Sequence, residues 1–164
     1  MTESTDDGRH DFDFFFGRWQ IQNQRLQQRH VGSNDWDEFE ASIDCRSILG
    51  GLGNIDEYRT EYGGGIVGIS LRLFNTQARE WSDAWANRRD GVLGAPALGR
   101  FVVHPDEGKL GTFIGRDRDG ERAVLSRAQW SHITPDSLHW DQAFSTDEGK
   151  TWETNWRMQM TRVG

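Results

Sequence analysis

Polar side chains that share strand faces with large aromatic residues are the main candidates for chemistry in this sequence. They recur at alternate positions, as Asn23 and Arg25 do after Trp19. If these faces line a cavity, the buried charges need partners, and a ligand can complete their hydrogen bonds. If the faces point outward, the charges are solvated, and the sequence alone leaves both interpretations open. On the first interpretation the predicted ligand-binding residues are Trp19, Asn23, Arg25, Asp83, Trp85, Trp140, Gln142 and Trp156.

Arg25 gives the most specific expectation among these residues. An unpaired buried guanidinium costs roughly several kcal/mol. Arg25 should therefore pair with Glu38 or Glu40, or bind an anionic group of a ligand. In an antiparallel barrel the last strand lies beside the first, which would bring Trp156 close to Asn23.

The segment from residue 66 to residue 75 predicts the opposite orientation for another arginine. Its alternate apolar residues, Val67, Ile69, Leu71 and Leu73, form one continuous face. Such a face is expected to be buried, which would place Arg72 on the outside unless a helix or a partner covers the strand there.

Catalytic residues are not identified by the sequence. Asp83 and Glu57 could act as acid or base if one of them had a raised pKa inside a dry cavity. The sequence shows no Ser-His-Asp, Cys-His or metal-ligand pattern, so hydrolase chemistry is disfavoured. The five histidines also lack the His-x-His and His-x-x-x-His spacings, so no metal site is predicted.

Two acidic segments are predicted to be structural hairpin turns. Residues 145–152 resemble an Asp-box, in which an aspartate caps backbone N–H groups and a glycine takes a positive φ. Residues 117–121 have the start of a calcium loop but lack its later ligands.

Composition limits the class of protein. A chain of 164 residues fits one domain, and a formal net charge of -7 argues against binding to nucleic acid or to an anionic membrane. Cys45 is the only cysteine, so no internal disulfide can form. No apolar run approaches the ~20 residues that span a bilayer, and we expect a cytoplasmic protein.

The elements that must position these residues are short strands. Alternating patterns separated by Gly-, Asp- and Asn-rich turns predict ten strands and no sustained helix. We expect an all-β fold, a single up-and-down antiparallel barrel over residues 11–164, with a short helical turn capping one end. A two-sheet sandwich is the alternative. Residues 1–10 are expected to form a poorly ordered polar tail.

Four stretches resemble a bacterial lipocalin-like, calycin-type family of largely uncharacterised domains. They are residues 12–19 with Gly17-x-Trp19, residues 49–57, residues 71–75 running to Trp81 and Trp85, and residues 140–145 running to Asn155 and Trp156. The resemblance implies a calycin-type barrel and assigns no agreed reaction.

The resemblance also raises haem as an alternative cofactor. Some small calycin-like barrels, the nitrobindins, hold haem through one histidine near the C-terminal strands, and His132 and His139 are the candidates here. His139 alternates with Trp140, so it points to solvent if the aromatic face is interior. No cofactor is therefore predicted.

The leading hypothesis is a protein that binds a small hydrophobic or aromatic molecule inside the barrel. An enzyme that isomerises, cyclises or hydrates a bound apolar substrate is the second hypothesis. A non-catalytic module that forms a homodimer through the apolar face of residues 67–73 is the third.

Overall fold

The computed structural model, which describes residues 7–164, is a closed barrel of ten antiparallel strands. The strands are β1 Gly17–Leu26, β2 Trp36–Ile48, β3 Gly53–Thr60, β4 Ile66–Asn75, β5 Glu80–Asn87, β6 Ala97–His104, β7 Gly108–Asp119, β8 Arg122–Ser131, β9 Ser137–Ser145 and β10 Glu153–Arg162. Each strand pairs with the next one in the chain, and β1 pairs with β10 to close the sheet. The predicted all-β up-and-down barrel is confirmed, and the sandwich alternative is wrong.

Alternation along β1 separates the inside of the barrel from the outside. Trp19, Ile21 and Asn23 are buried in the interior, whereas the glutamines between them lie on the outer face. The outer glutamines face β2, where Gln22 donates to Glu40 at 3.1 Å and Gln24 donates to Glu38 at 3.1 Å. The two glutamates predicted as partners of Arg25 therefore lie outside the barrel. Strand register, which is set by pairing with β2, decides this orientation.

An aromatic plug closes one end of the barrel. Phe12 precedes the 3₁₀ turn Asp13–Phe15 and Phe15 ends it, and both are fully buried. The ring of Phe12 lies 4.9 Å from that of Trp81 in an edge-to-face arrangement, and Trp19 Nε1 donates to Phe15 O at 2.9 Å. The chain then enters β1 through Gly17, whose φ is +115° and where a Cβ would lie 2.6 Å from Gly164 O. The predicted helical cap is confirmed as this single turn.

The predicted polar tail falls partly outside the described residues. Residues 1–6 are not described. In the part of the tail that is described, Gly8 O accepts a hydrogen bond from Trp81 Nε1 at 3.0 Å, and Arg9 donates to Asp7 at 2.9 Å. The domain boundary at residue 11 stays a prediction.

The prediction for β4 is wrong, because its apolar stripe lies on the outer face. Arg72 points inward with 3% of its surface exposed, while Leu73 on the opposite face is 37% exposed. Residues on the two neighbouring strands shield the side chains of the stripe in part: Leu71 lies between Ile55 of β3 and Ala84 of β5. The predicted homodimer through this stripe stays a prediction.

No helix within residues 7–164 is long and apolar enough to cross a membrane.

Candidate functional site

A cavity of about 900 Å³ occupies the barrel interior between the aromatic plug and the opposite end. Its mouth is formed by the β3–β4 and β5–β6 loops together with the end of β7, at the end of the barrel away from Phe12 and Phe15. The strands place inward side chains at every second position, so each strand contributes only a few residues to the cavity.

Four aromatic rings form the wall of the cavity, and we call them the aromatic wall: Tyr58, Trp85, Trp140 and Trp156. Neighbouring rings lie 6.1–6.3 Å apart and cross at 71–85°. Rings in edge-to-face contact leave faces and edges open on the cavity side. The wall can therefore pack against a flat apolar ligand.

Asn23 holds two members of the aromatic wall from behind. Its side-chain oxygen accepts hydrogen bonds from Tyr58 Oη and Trp156 Nε1, each at 3.0 Å, and its amide nitrogen donates to Phe39 O at 3.2 Å. Burial raises the pKa of Tyr58, so its hydroxyl stays a donor at neutral pH. The polar ends of both rings are thus satisfied by the protein, which leaves their apolar surfaces for a ligand.

Arg25 lies beside this wall without a counter-ion. Its guanidinium carbon is 4.6 Å from the centre of the Trp156 ring, across the β1–β10 seam. Within residues 7–164 its guanidinium makes no ion pair and no hydrogen bond, because Glu38 and Glu40 lie on the outer face. Burial lowers the pKa of Arg25, and the nearby Arg29 acts in the same direction. A cation that is partly desolvated and unpaired favours a bound anion.

A buried ion network lies at the deep end of the cavity. Arg72 Nη1 is 2.7 Å from Asp56 Oδ2, Arg72 Nε is 3.2 Å from Asp83 Oδ2, and Arg72 Nη1 donates to Asn54 Oδ1 at 2.9 Å. Neither oxygen of Asp56 forms a well-directed hydrogen bond in the described part of the chain, so the contact of Asp56 with Arg72 is an ion pair. The guanidinium also lies 5.2 Å from the centre of the Trp130 ring.

Burial sets the protonation tendencies of this network. It raises the pKa of Asp56 and of Asp83, and the charge of Arg72 acts against that rise. Burial also disfavours the charged form of Arg72, but the attraction of Asp83 and Asp56 outweighs it and raises the pKa of Arg72. The arginine is therefore a permanent cation, and the two carboxyls hold protons more readily than free aspartates do.

The lining also contains a buried donor without an acceptor. Trp130 is 1% exposed, lines the deep part of the cavity, and has no hydrogen-bond acceptor for Nε1 among residues 7–164. A buried donor that stays unpaired costs the folded protein about 1–3 kcal/mol of stability.

The structure brings together most of the residues predicted from the sequence. Those that line the cavity are Arg25, Asp83, Trp85, Trp140, Gln142 and Trp156. Asn23 lies directly behind the aromatic wall. Trp19 packs instead against the aromatic plug, stacked on Phe15 with ring centres 5.6 Å apart. Gln142 donates to Asn155 Oδ1 at 2.9 Å.

Among the lining residues that sequence reasoning missed are Asp56, Tyr58, Arg72 and Trp130. Asp56 and Tyr58 share one face of β3 with Asn54 and Thr60, and all four residues are buried. The period-two pattern was visible, but a polar face of this kind is normally solvated. Only the ion pair with Arg72 on the neighbouring strand makes it an interior face.

Residues considered for acid–base or haem chemistry lie mostly outside the cavity. Glu57 is on the outer face and pairs with Arg59. The rings of His132 and His139 lie 4.6 Å apart, and neither residue lines the cavity. In the described part of the chain no three His, Cys, Asp or Glu side chains cluster as metal ligands would.

Both predicted hairpin turns are present. In the β9–β10 turn, Thr151 donates to Asp147 through its backbone nitrogen at 2.9 Å and its hydroxyl at 2.6 Å, and these bonds hold the pKa of Asp147 at about 2. Beside the β7–β8 turn, Asp119 at the end of β7 accepts two hydrogen bonds from Arg29 at 2.7 and 2.6 Å. That contact ties the β1–β2 loop to β7 beside the cavity mouth.

Comparison with known proteins leaves the family open. No protein-family model matches the chain, and a search of curated proteins finds no match. The lipocalin-like resemblance therefore stays a prediction from the four stretches of sequence.

Proposed function

We propose that the protein binds a small molecule containing a flat ring inside the barrel. The observation that supports this function is the cavity of about 900 Å³ with its aromatic wall. Ligand sites typically enclose about 300–1,000 Å³ and combine apolar walls with a few polar groups. When a ligand covers an aromatic ring, the burial of apolar surface contributes about 25 cal/mol of free energy per Å².

The arrangement of polar groups supports binding over a merely structural cavity. Asn23 satisfies the polar atoms of Tyr58 and Trp156 on the side away from the cavity. A barrel filled for stability alone would instead pack its interior to the density of an organic crystal.

A neutral fluorescent probe, N-phenyl-1-naphthylamine, tests this function. We expect saturable binding with one site per chain, detected by probe emission and by energy transfer from tryptophan. Ser126 lines the cavity, so Ser126→Phe should weaken binding by occupying part of the cavity. Ser42 lies exposed on the outer face of β2, so Ser42→Phe is the matched control and should bind normally.

Folding of both variants is checked by circular dichroism and thermal unfolding. Equal probe binding by a folded Ser126→Phe variant and by the control would contradict a site inside the barrel. A metabolite library screened by tryptophan emission against the same pair of variants then identifies natural ligands.

A second candidate function is acid–base catalysis on the bound molecule. It is favoured by Asp83, whose pKa burial raises and which lines the cavity. The test follows each library ligand by NMR with the unmodified protein and with Asp83→Asn. Conversion that is lost in Asp83→Asn supports catalysis, whereas conversion at an equal rate removes Asp83 from the reaction.

A further inference from the structure

The cavity has the opposite charge from the rest of the molecule. The chain carries a formal net charge of -7. The residues that line the cavity include six arginines and three aspartates, an excess of three positive charges. A positive pocket in an acidic protein concentrates anions and repels cations as they approach.

The excess positive charge lies at the mouth and not at the deep end. Arg72 at the deep end faces two carboxyls, Asp56 and Asp83, so that end carries no excess of positive charge. Arg88 and Arg89, in the β5–β6 loop, are exposed and make no side-chain ion pair within residues 7–164.

Two further arginines at the mouth are only weakly engaged. Arg116 makes an exposed contact of 3.3 Å with Glu148, and Arg118 donates to a backbone carbonyl. Exposed pairs of this kind contribute about 0–1 kcal/mol, so both guanidinium groups can turn towards an incoming anion.

Arg25 is the cation that is best placed to hold an anion inside the mouth. Its guanidinium carbon lies 4.6 Å from the centre of the Trp156 ring, and this cation–π contact helps to hold the side chain inside the mouth. It is only partly exposed, so a bond to it is screened less by water and salt than a bond to the outer arginines. The guanidinium fork also matches the geometry of a carboxylate or sulfonate.

We propose that the natural ligand is an aromatic anion, with its carboxylate or a similar oxyanion bonded to Arg25 and its ring against the aromatic wall. This inference rests on the proposed function and adds the chemical class of the ligand. The ring lies deeper than the anion, because the unpaired arginines are at the mouth, whereas the deep end holds two carboxyls beside its one arginine.

A pair of probes with the same ring system tests the charge requirement. 8-Anilinonaphthalene-1-sulfonate carries a sulfonate, and N-phenyl-1-naphthylamine lacks it. Arg25→Gln removes the cation and is expected to weaken sulfonate binding by about 10- to 100-fold. The neutral probe should lose less than about threefold, because it makes no charge-assisted hydrogen bond.

Two variants separate charge from structure. Arg25→Lys should recover part of the lost sulfonate affinity, because the charge returns without the planar fork. Arg46→Gln, an exposed arginine on the outer face of β2, is the matched control and should change neither affinity. Ser126→Phe should weaken the binding of both probes if both occupy the cavity.

The outcomes distinguish this inference from the proposed function. Equal loss of both probes in Arg25→Gln would overturn the inference, because Arg25 would then act only by holding Trp156. Binding of the neutral probe with no binding of the sulfonate would also overturn it while the proposed function stands. Failure of both probes to bind in the cavity would contradict the proposed function itself.

Discussion

Replacement of Arg72 by methionine tests the buried ion network most directly. The substitution keeps an unbranched side chain of related length but removes the cation that lies 2.7 Å from Asp56 and 3.2 Å from Asp83. Removal of one partner from a buried ion pair costs about 3–5 kcal/mol, because the remaining charge stays desolvated. That loss is a large share of the roughly 5–15 kcal/mol by which a domain is typically stable. We therefore expect a severe loss of stability for Arg72→Met at pH 7.

The pH dependence of this loss has a definite sign. Without Arg72, burial is the dominant influence on Asp56 and Asp83, and it raises the pKa of both carboxyls. A raised folded-state pKa contributes stability that is complete below the unfolded value of 3.8 and is lost as the pH rises through the folded value. The difference between Arg72→Met and the unmodified protein should therefore be smaller at about pH 5 than at about pH 7.

Urea unfolding followed by tryptophan emission at the two pH values measures this difference. Arg46→Met, on the outer face of β2, is the matched control and should change stability by less than about 0.5 kcal/mol. Adding Asp56→Asn and Asp83→Asn to Arg72→Met removes the unpaired charges and should restore much of the lost stability. A loss below about 1 kcal/mol, or a loss that grows as the pH falls, would refute the assignment of a buried ion network.

Two further predictions concern the mouth of the cavity. The hydrogen bonds from Arg29 hold the pKa of Asp119 at about 2, so Asp119 stabilises the fold above its unfolded pKa of 3.8 and loses this effect as the pH falls towards 2. Asp119→Asn should therefore destabilise the protein by about 1 kcal/mol at neutral pH, and the difference should shrink between about pH 5 and pH 3 in urea unfolding; a constant difference would contradict the pairing. At Gly68 a Cβ would lie 2.2 Å from the ring of Trp85, so Gly68→Ala should cost about 1–3 kcal/mol by overpacking. The same substitution in a Trp85→Ala background should cost much less, and a double-mutant cycle without coupling would show that the indole does not pack there.

The sequence by itself predicted the number and approximate position of the strands, and it favoured closure into a barrel over a two-sheet sandwich. Each strand has a period of two, each turn has its own Gly, Asp or Asn residues, and these signals lie within a few residues of each other. The aromatic residues before Gly17 likewise indicated a plug at one end. Pairing of consecutive strands through short turns then leaves little freedom in topology, because antiparallel neighbours need no long connection.

Tertiary structure alone decided which face of each strand is interior. An alternating strand has two faces, and its sequence separates them without saying which one is inside the barrel. The apolar stripe ending at Leu73 favoured the wrong face, because Arg72 enters the interior only when Asp56 and Asp83 on the neighbouring strands neutralise it. These partners lie 16 and 11 positions away in the chain, and no local pattern records their contact.

The availability of Arg25 follows from strand register in the same way. In β2, Glu38 and Glu40 stand opposite Gln24 and Gln22, which places both carboxylates on the outer face, one position out of phase with Arg25. A shift of one residue in that register would turn a glutamate inward beside the guanidinium and neutralise it. The unpaired cation beside Trp156 therefore exists because of long-range pairing, which the order of residues along one strand does not contain.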